Sequence, residues 1–119
     1  MNIEHLKGTN IAVVSSDEKV ITDTQSALDL AMTDKYETGE TKIAINKKAV
    51  ADDFFVLSTG MAGDILQKFI NYHVKVAIYG DYSHYTSKPL KDFIYESNHG
   101  NDFFFVSSRD EAIQKLSKV

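Results

Sequence analysis

Cysteine is absent from this sequence, and with it go disulfides, thiolate nucleophiles and cysteine-based zinc or iron–sulfur sites. Proline occurs once, at position 89, and glycine only six times in 119 residues, so no stretch has the composition of a linker or a low-complexity segment. Long apolar runs are missing too. None is longer than a run such as Phe103-Phe104-Phe105-Val106, which is strand-sized, whereas a bilayer span needs about 20 residues. Met1-Asn2-Ile3-Glu4-His5-Leu6 has neither the basic start nor the apolar stretch of a secretory signal. These absences lead us to expect a cytoplasmic protein with no membrane partner. A concentrated basic footprint is also lacking: the 13 Lys and Arg face 17 Asp and Glu, the net charge is −4, and no basic run exceeds Lys47-Lys48. Nucleic acid is therefore not an expected partner.

What is present is ordinary for a folded domain. Hydrophobic residues make up 43% of the chain and charged residues 25%, which argues against disorder and for one domain over residues 1–119. Short apolar runs alternate with stretches of helical periodicity throughout. That alternation predicts an α/β fold with a mainly parallel sheet of about five strands and about four helices. Residues 11–15 read as a strand, and residues 2–6 as its hairpin partner across Gly8-Thr9-Asn10. Thr22 and Gln25 have capping-box spacing ahead of Ala27, Leu28 and Ala31, with Gly39 closing that helix. Strands are expected at 41–46, 74–79 and 102–107. Helices are expected at about 59–72, around Leu90, Phe93 and Ile94, and after a second capping box at Ser108 and Glu111.

In the strands at 41–46 and 74–79 one face is wholly aliphatic while the other mixes Lys, Ala and Tyr. A sheet covered on both sides needs two apolar faces. The pattern thus predicts helices on one face only, with the other partly open. Phe104 would point to that open face, either as the contact of a homodimer or unknown protein partner or beneath the terminal residues folding over it.

The order of a strand pair followed by α-β-α-β-α-β-α resembles the STAS fold, that of sulfate transporters and anti-sigma-factor antagonists, over nearly the whole chain. Its landmark is an Asp-Ser-Ser-Gly-Leu-Gly-like turn opening the second helix, and Leu57-Ser58-Thr59-Gly60-Met61-Ala62-Gly63 occupies the matching place. The closing Phe105-Val106-Ser107-Ser108-Arg109-Asp110-Glu111-Ala112 is similar as well. The stretches TGMAGDILQKFINY, GDYSHYTSKPLKDFIYESN and DFFFVSS more narrowly resemble an uncharacterised bacterial family, domain of unknown function 4180 (DUF4180). In anti-sigma-factor antagonists the first serine of the turn is phosphorylated by a partner kinase, so the resemblance implies Ser58 as phosphoacceptor. Leu57 stands where that family has its aspartate.

Read from the residues themselves, Ser58 and Thr59 suit plain helix capping, while Gly60 suits close approach of an anion to backbone amides. The most chemically loaded stretch is Gly80-Asp81-Tyr82-Ser83-His84-Tyr85. Ligands of open parallel sheets sit beyond the carboxyl ends of the strands. Ser58, Thr59, Gly60, Asp81, Tyr82, Ser83, His84 and Ser107 are therefore the candidate ligand-binding residues, expected to gather at that edge around a small polar or anionic molecule. No metal or cofactor is implied. His5, His73, His84 and His99 lack ligand spacing, and no Walker loop, dinucleotide fingerprint or nucleophile elbow occurs. The expectation is a non-enzymatic regulatory or protein-interaction module, with small-ligand binding as the alternative and an enzyme centred on Asp81–His84 third.

Overall fold

The computed structural model describes residues 1–39 and 41–119. Its elements are β1 (Asn2–His5), β2 (Ile11–Ser15), α1 (Thr24–Thr38), β3 (Lys42–Asn46), α2 (Met61–Asn71), β4 (Lys75–Tyr79), α3 (Lys88–Asn98), β5 (Phe103–Val106) and α4 (Arg109–Ser117). No helix among the described residues is long and apolar enough to cross a membrane.

The strands lie side by side in chain order, β1-β2-β3-β4-β5. β1 runs antiparallel to β2, and the three remaining pairings are parallel. The sheet is thus mixed, which corrects the expectation of a mainly parallel one. The cause is local. Residues 6–10 make a tight return, with the Leu6 amide donating to the Ile11 carbonyl at 3.1 Å. So short a link can only join antiparallel strands, whereas a parallel pair needs a crossover of about a dozen residues or more.

Helix ends follow local chemistry. α1 begins one residue later than its sequence signal suggests: Asp23 caps the Ser26 amide at 2.7 Å, and the Ser26 hydroxyl accepts from the Asp23 amide at 3.0 Å. The chain leaves α1 through Gly39, in the left-handed conformation. Ser108 caps α4 by accepting from the Glu111 amide at 3.2 Å, as its position predicts.

Strands laid down in chain order and joined by right-handed crossovers send every crossover helix to the same side. Accordingly α1, α2 and α3 share one face. Ala27, Ala31, Ala62, Ile65, Leu66, Phe69 and Leu90 pack there on Val14, Ile43, Ile45, Val76, Ile78 and Phe105. α4 has no further strand to reach, and it turns to the opposite face. Its Ala112 and Leu116, both fully buried, rest on Ile11, Val13, Ala44, Ala77, Phe104 and Val106.

This corrects a second expectation: helices cover both faces, not one, and of the two placements expected for Phe104 the structure takes the one beneath the terminal residues, 3% exposed in the core under α4. A homodimer through an open sheet face loses its surface. The physical reason is position along the strand. Lys42 and Lys75 stand at the amino ends of their strands and Tyr79 at a carboxyl end, leaving Ala44 and Ala77 paired at the centre. Two methyl groups there make a shallow seat into which a helix can sink.

Between β3 and α2 the chain makes three short 3-10 turns, at Lys47–Ala49, Asp52–Phe55 and Leu57–Thr59. The Val20 amide donates to the Ala49 carbonyl and the Ala51 amide to the Ile21 carbonyl, each at 2.8 Å. Phe54 and Phe55 are both buried, which anchors this segment against the α1–α3 side of the sheet.

Candidate functional site

β4 and β5 are neighbours whose following helices leave for opposite faces, α3 to one and α4 to the other. Diverging connections of this kind open a crevice beyond the carboxyl ends of the two strands. A cavity of about 640 Å³ lies there, lined by Gly80, Asp81, Tyr82, Ser83, Asn98, Phe105, Val106, Ser107, Glu111 and Lys115. A second groove of about 480 Å³ adjoins it through Gly80 and Asp81, and its walls include Lys19, Asn46, Lys47, Lys48 and His84.

The side of the crevice that follows β4 is a closed turn. One Asp81 carboxylate oxygen accepts from the Ser83 hydroxyl at 2.6 Å and from the Ser83 amide at 2.8 Å. These two bonds, the hydroxyl first, hold the Asp81 carboxyl below the usual carboxylate range, with His84 and Lys47 adding smaller contributions. Tyr82 turns inward. Its hydroxyl donates to the Ile78 carbonyl at 2.8 Å, and its ring packs on Phe55, Tyr85 and Phe105 with centroids 5.8–6.1 Å apart. Burial pushes its phenol up, with neighbouring Tyr85 in the same direction. The His84 ring lies against Tyr85, centroids 4.3 Å apart.

The side that follows β5 is set by α4. Glu111, whose amide is capped by Ser108, accepts from the Ser107 hydroxyl at 2.5 Å. Its carboxylate therefore points back to the strand end and does not close the reciprocal half of the capping box. Lys115, one turn further along the helix, stands 5.9 Å above the Phe104 ring. From α3, Asn98 meets β5 as a neighbouring strand would. Its amide nitrogen donates to the Phe105 carbonyl at 3.0 Å and its oxygen accepts from the Phe105 amide at 2.7 Å.

Of the eight sequence candidates, Asp81, Tyr82, Ser83 and Ser107 line the crevice, and Asp81 and His84 line the adjoining groove. Ser58, Thr59 and Gly60 line neither. They do not follow a strand directly, because β3 ends at Asn46 and the 3-10 segment intervenes. Gly60, at φ 78°, opens α2, and Thr59 does the local work: its hydroxyl accepts from the Met61 amide at 3.2 Å and lies 2.8 Å from the Asp53 and Val56 carbonyls. The Ser58 side chain is exposed.

Several crevice and groove residues escaped the reading of the sequence as site residues, among them Lys19, Lys47, Lys48, Asn98, Glu111 and Lys115. Lys47 and Lys48 carry a signal, as the longest basic run in an acidic chain. Glu111 reads as a cap, and Asn98 carries no signal, since its partner is backbone. For enzymatic chemistry, Ser83 donates to Asp81 and His84 packs on Tyr85, so these adjacent residues do not form a nucleophile–base pair. Among the described residues no group of three or more His, Asp or Glu side chains is placed to hold a metal ion.

The fold and the crevice define a small α/β domain with a mixed five-stranded sheet and, at its carboxyl edge, a cleft that combines polar side chains with the apolar Phe105 and Val106. Residues 6–116 match the family described as a domain of unknown function (DUF4180), and the chain belongs to that family. No curated protein matches it.

Proposed function

We propose that this protein is a non-enzymatic regulatory domain of STAS-like architecture that binds a small polar ligand at the carboxyl edge of its sheet. The observation that carries this reading is the divergence of α3 and α4 from adjacent strands, which opens the crevice between Asp81-Ser83 and Ser107-Glu111. Convergent polar groups over an apolar floor of Phe105 and Val106 are what orient a small molecule. Asp81 and Glu111 offer acceptors to hydroxyl or amine groups, and Lys115 offers a donor. The STAS-like reading is supported by the chain-ordered sheet with its antiparallel first strand. A cytoplasmic, bacterial setting accords with the resemblance on which that reading rests.

A second reading keeps the domain as a phosphorylation-controlled partner of another protein. It is favoured by Ser58, whose side chain is exposed while its neighbour Thr59 serves the turn. Native mass spectrometry of the protein purified gently from its own host separates the two. A retained small molecule, lost in an Asp81→Ala, Glu111→Ala variant, is the expected outcome. An added phosphate that disappears in Ser58→Ala, with no small molecule retained, would replace the ligand reading with the switch.

A further inference from the structure

We propose that the groove beside the crevice, walled by Lys19, Lys47, Lys48 and His84, is a subsite for the phosphate group of a small molecule. Its position is the carboxyl end of β3 and β4, where Asn46, Tyr79 and Gly80 complete the lining. Three lysines line it with a single lining carboxylate, Asp81, in a chain whose overall charge is −4. One oxygen of that carboxylate is already committed to Ser83. Counted with Asp52 and Asp17, the exposed partners of Lys19 and Lys48, three acids stand against the three lysines, and among the described residues Lys47 is the lysine with no carboxylate of its own. A phosphate monoester carries about −1.5 to −2 at neutral pH, and lysine binds phosphate as a point charge.

Lys47 is held in place without being neutralised. Lys47 lies against Gly80 so closely that a β-carbon at position 80 would come within 2.6 Å of the Lys47 β-carbon. Glycine is thus the residue that lets this stem cross the strand end. The Lys47 ammonium then sits 4.9 Å from the Tyr85 ring centroid, 5.1 Å from Phe55 and 5.8 Å from Tyr82. These rings fix a cation by their faces while leaving its charge intact. No salt bridge joins Lys47 to a carboxylate among the described residues. Lys19 and Lys48 do meet carboxylates, Asp52 at 3.4 Å and Asp17 at 3.9 Å. Those acids are 90% and 97% exposed, and pairs of that kind contribute little and give way to a stronger anion.

The groove shares Gly80 and Asp81 with the crevice, so one molecule can place its phosphate among the lysines and its remainder between Asp81 and Glu111. The assignment of that remainder rests on the ligand reading above, whereas the anion site does not. The test is titration of the full ¹⁵N-labelled chain with inorganic phosphate, then with glycerol phosphate, at fixed ionic strength set by chloride. The expected result is saturable shifts of the Lys48, Gly80 and His84 amides, weakened roughly tenfold or more in Lys47→Gln, Lys48→Gln and unchanged in Lys68→Gln, which lies on α2. Lys19→Gln, Lys48→Gln leaves the aromatic contacts of Lys47 intact and serves if the first variant unfolds. Linear shifts that match in all variants overturn the site. Saturable binding of inorganic phosphate with no gain for the ester keeps the anion site and removes the crevice reading.

Discussion

The two faces of the sheet are built from the same four strands and yet solve different problems. On the face of α1–α3, one row crossing the sheet is Val14, Ile45, Ile78 and Phe105. One residue back along each strand, the opposite face carries Val13, Ala44, Ala77 and Phe104. α2 and the turn at Asp52–Phe55 fill the wide space over the first row with Ile65, Leu66, Phe69 and Phe54, while α1 adds Ala27 and Ala31 and α3 adds Leu90. A single helix sits in the shallow trough of the second, held mainly by Ala112 and Leu116, with Arg109 pairing to Glu4 at 3.0 Å near its start. Small residues in mid-sheet thus mark a close helix seat as readily as an uncovered face. Which one applies depends on whether an amphipathic segment is left to fill it. Here α4 is that segment, and by taking the far face it also opens the crevice.

The contrast between the faces is tested most severely at Leu116, the one large fully buried side chain of α4. Leu116→Ala should cost about 2–5 kcal/mol in urea unfolding. Amide exchange should accelerate first in α4, with α1–α3 still protected. Uniform acceleration across all four helices would mean that the two faces are one cooperative unit.

A milder pair probes each face in turn, because Ala77 and Ile78 are adjacent and point to opposite sides. Ala77→Leu should cost about 1–3 kcal/mol by overfilling the trough, and Ile78→Val about 0.5–1.5 kcal/mol by leaving a small void. If Ala77→Leu proves neutral in the same assay, α4 does not depend on a shallow seat.

The smallest effect lies at the crevice wall. Tyr82→Phe removes the bond to the Ile78 carbonyl, for about 0.5–1.5 kcal/mol at neutral pH. The folded state raises the Tyr82 phenol above its unfolded value of about 10. Its contribution is therefore fully present below about pH 10 and is lost as the pH climbs beyond. The gap between wild type and Tyr82→Phe should close on alkaline titration, and a gap that holds constant to about pH 11 would refute the burial of that hydroxyl.

Much of the fold is legible in the residues. Ile43 and Ile45, or Val76 and Ile78, announce strands by alternation, and Ser108 announces the start of α4 by its cap. Within the site, Asp81 and Ser107 are legible because each comes within two residues of a strand end, and chain direction alone brings such residues to one edge. Ser58 is not legible in this way. Its distance from the sheet edge depends on where β3 stops, and the 3-10 segment at 47–59 has no periodic signature. Asn98 is invisible in the sequence because its two bonds go to backbone atoms of Phe105, whose position only pairing with β4 creates.

Local sequence, then, set the alternation of elements, their caps and the polar residues after β4 and β5. These depend on side-chain period and on neighbours three or four residues away. Long-range packing alone brought α4 over Ala44 and Ala77 and opened a crevice with a lysine-walled groove beside it. Each of those rests on contacts between residues far apart in the chain, which no local pattern records.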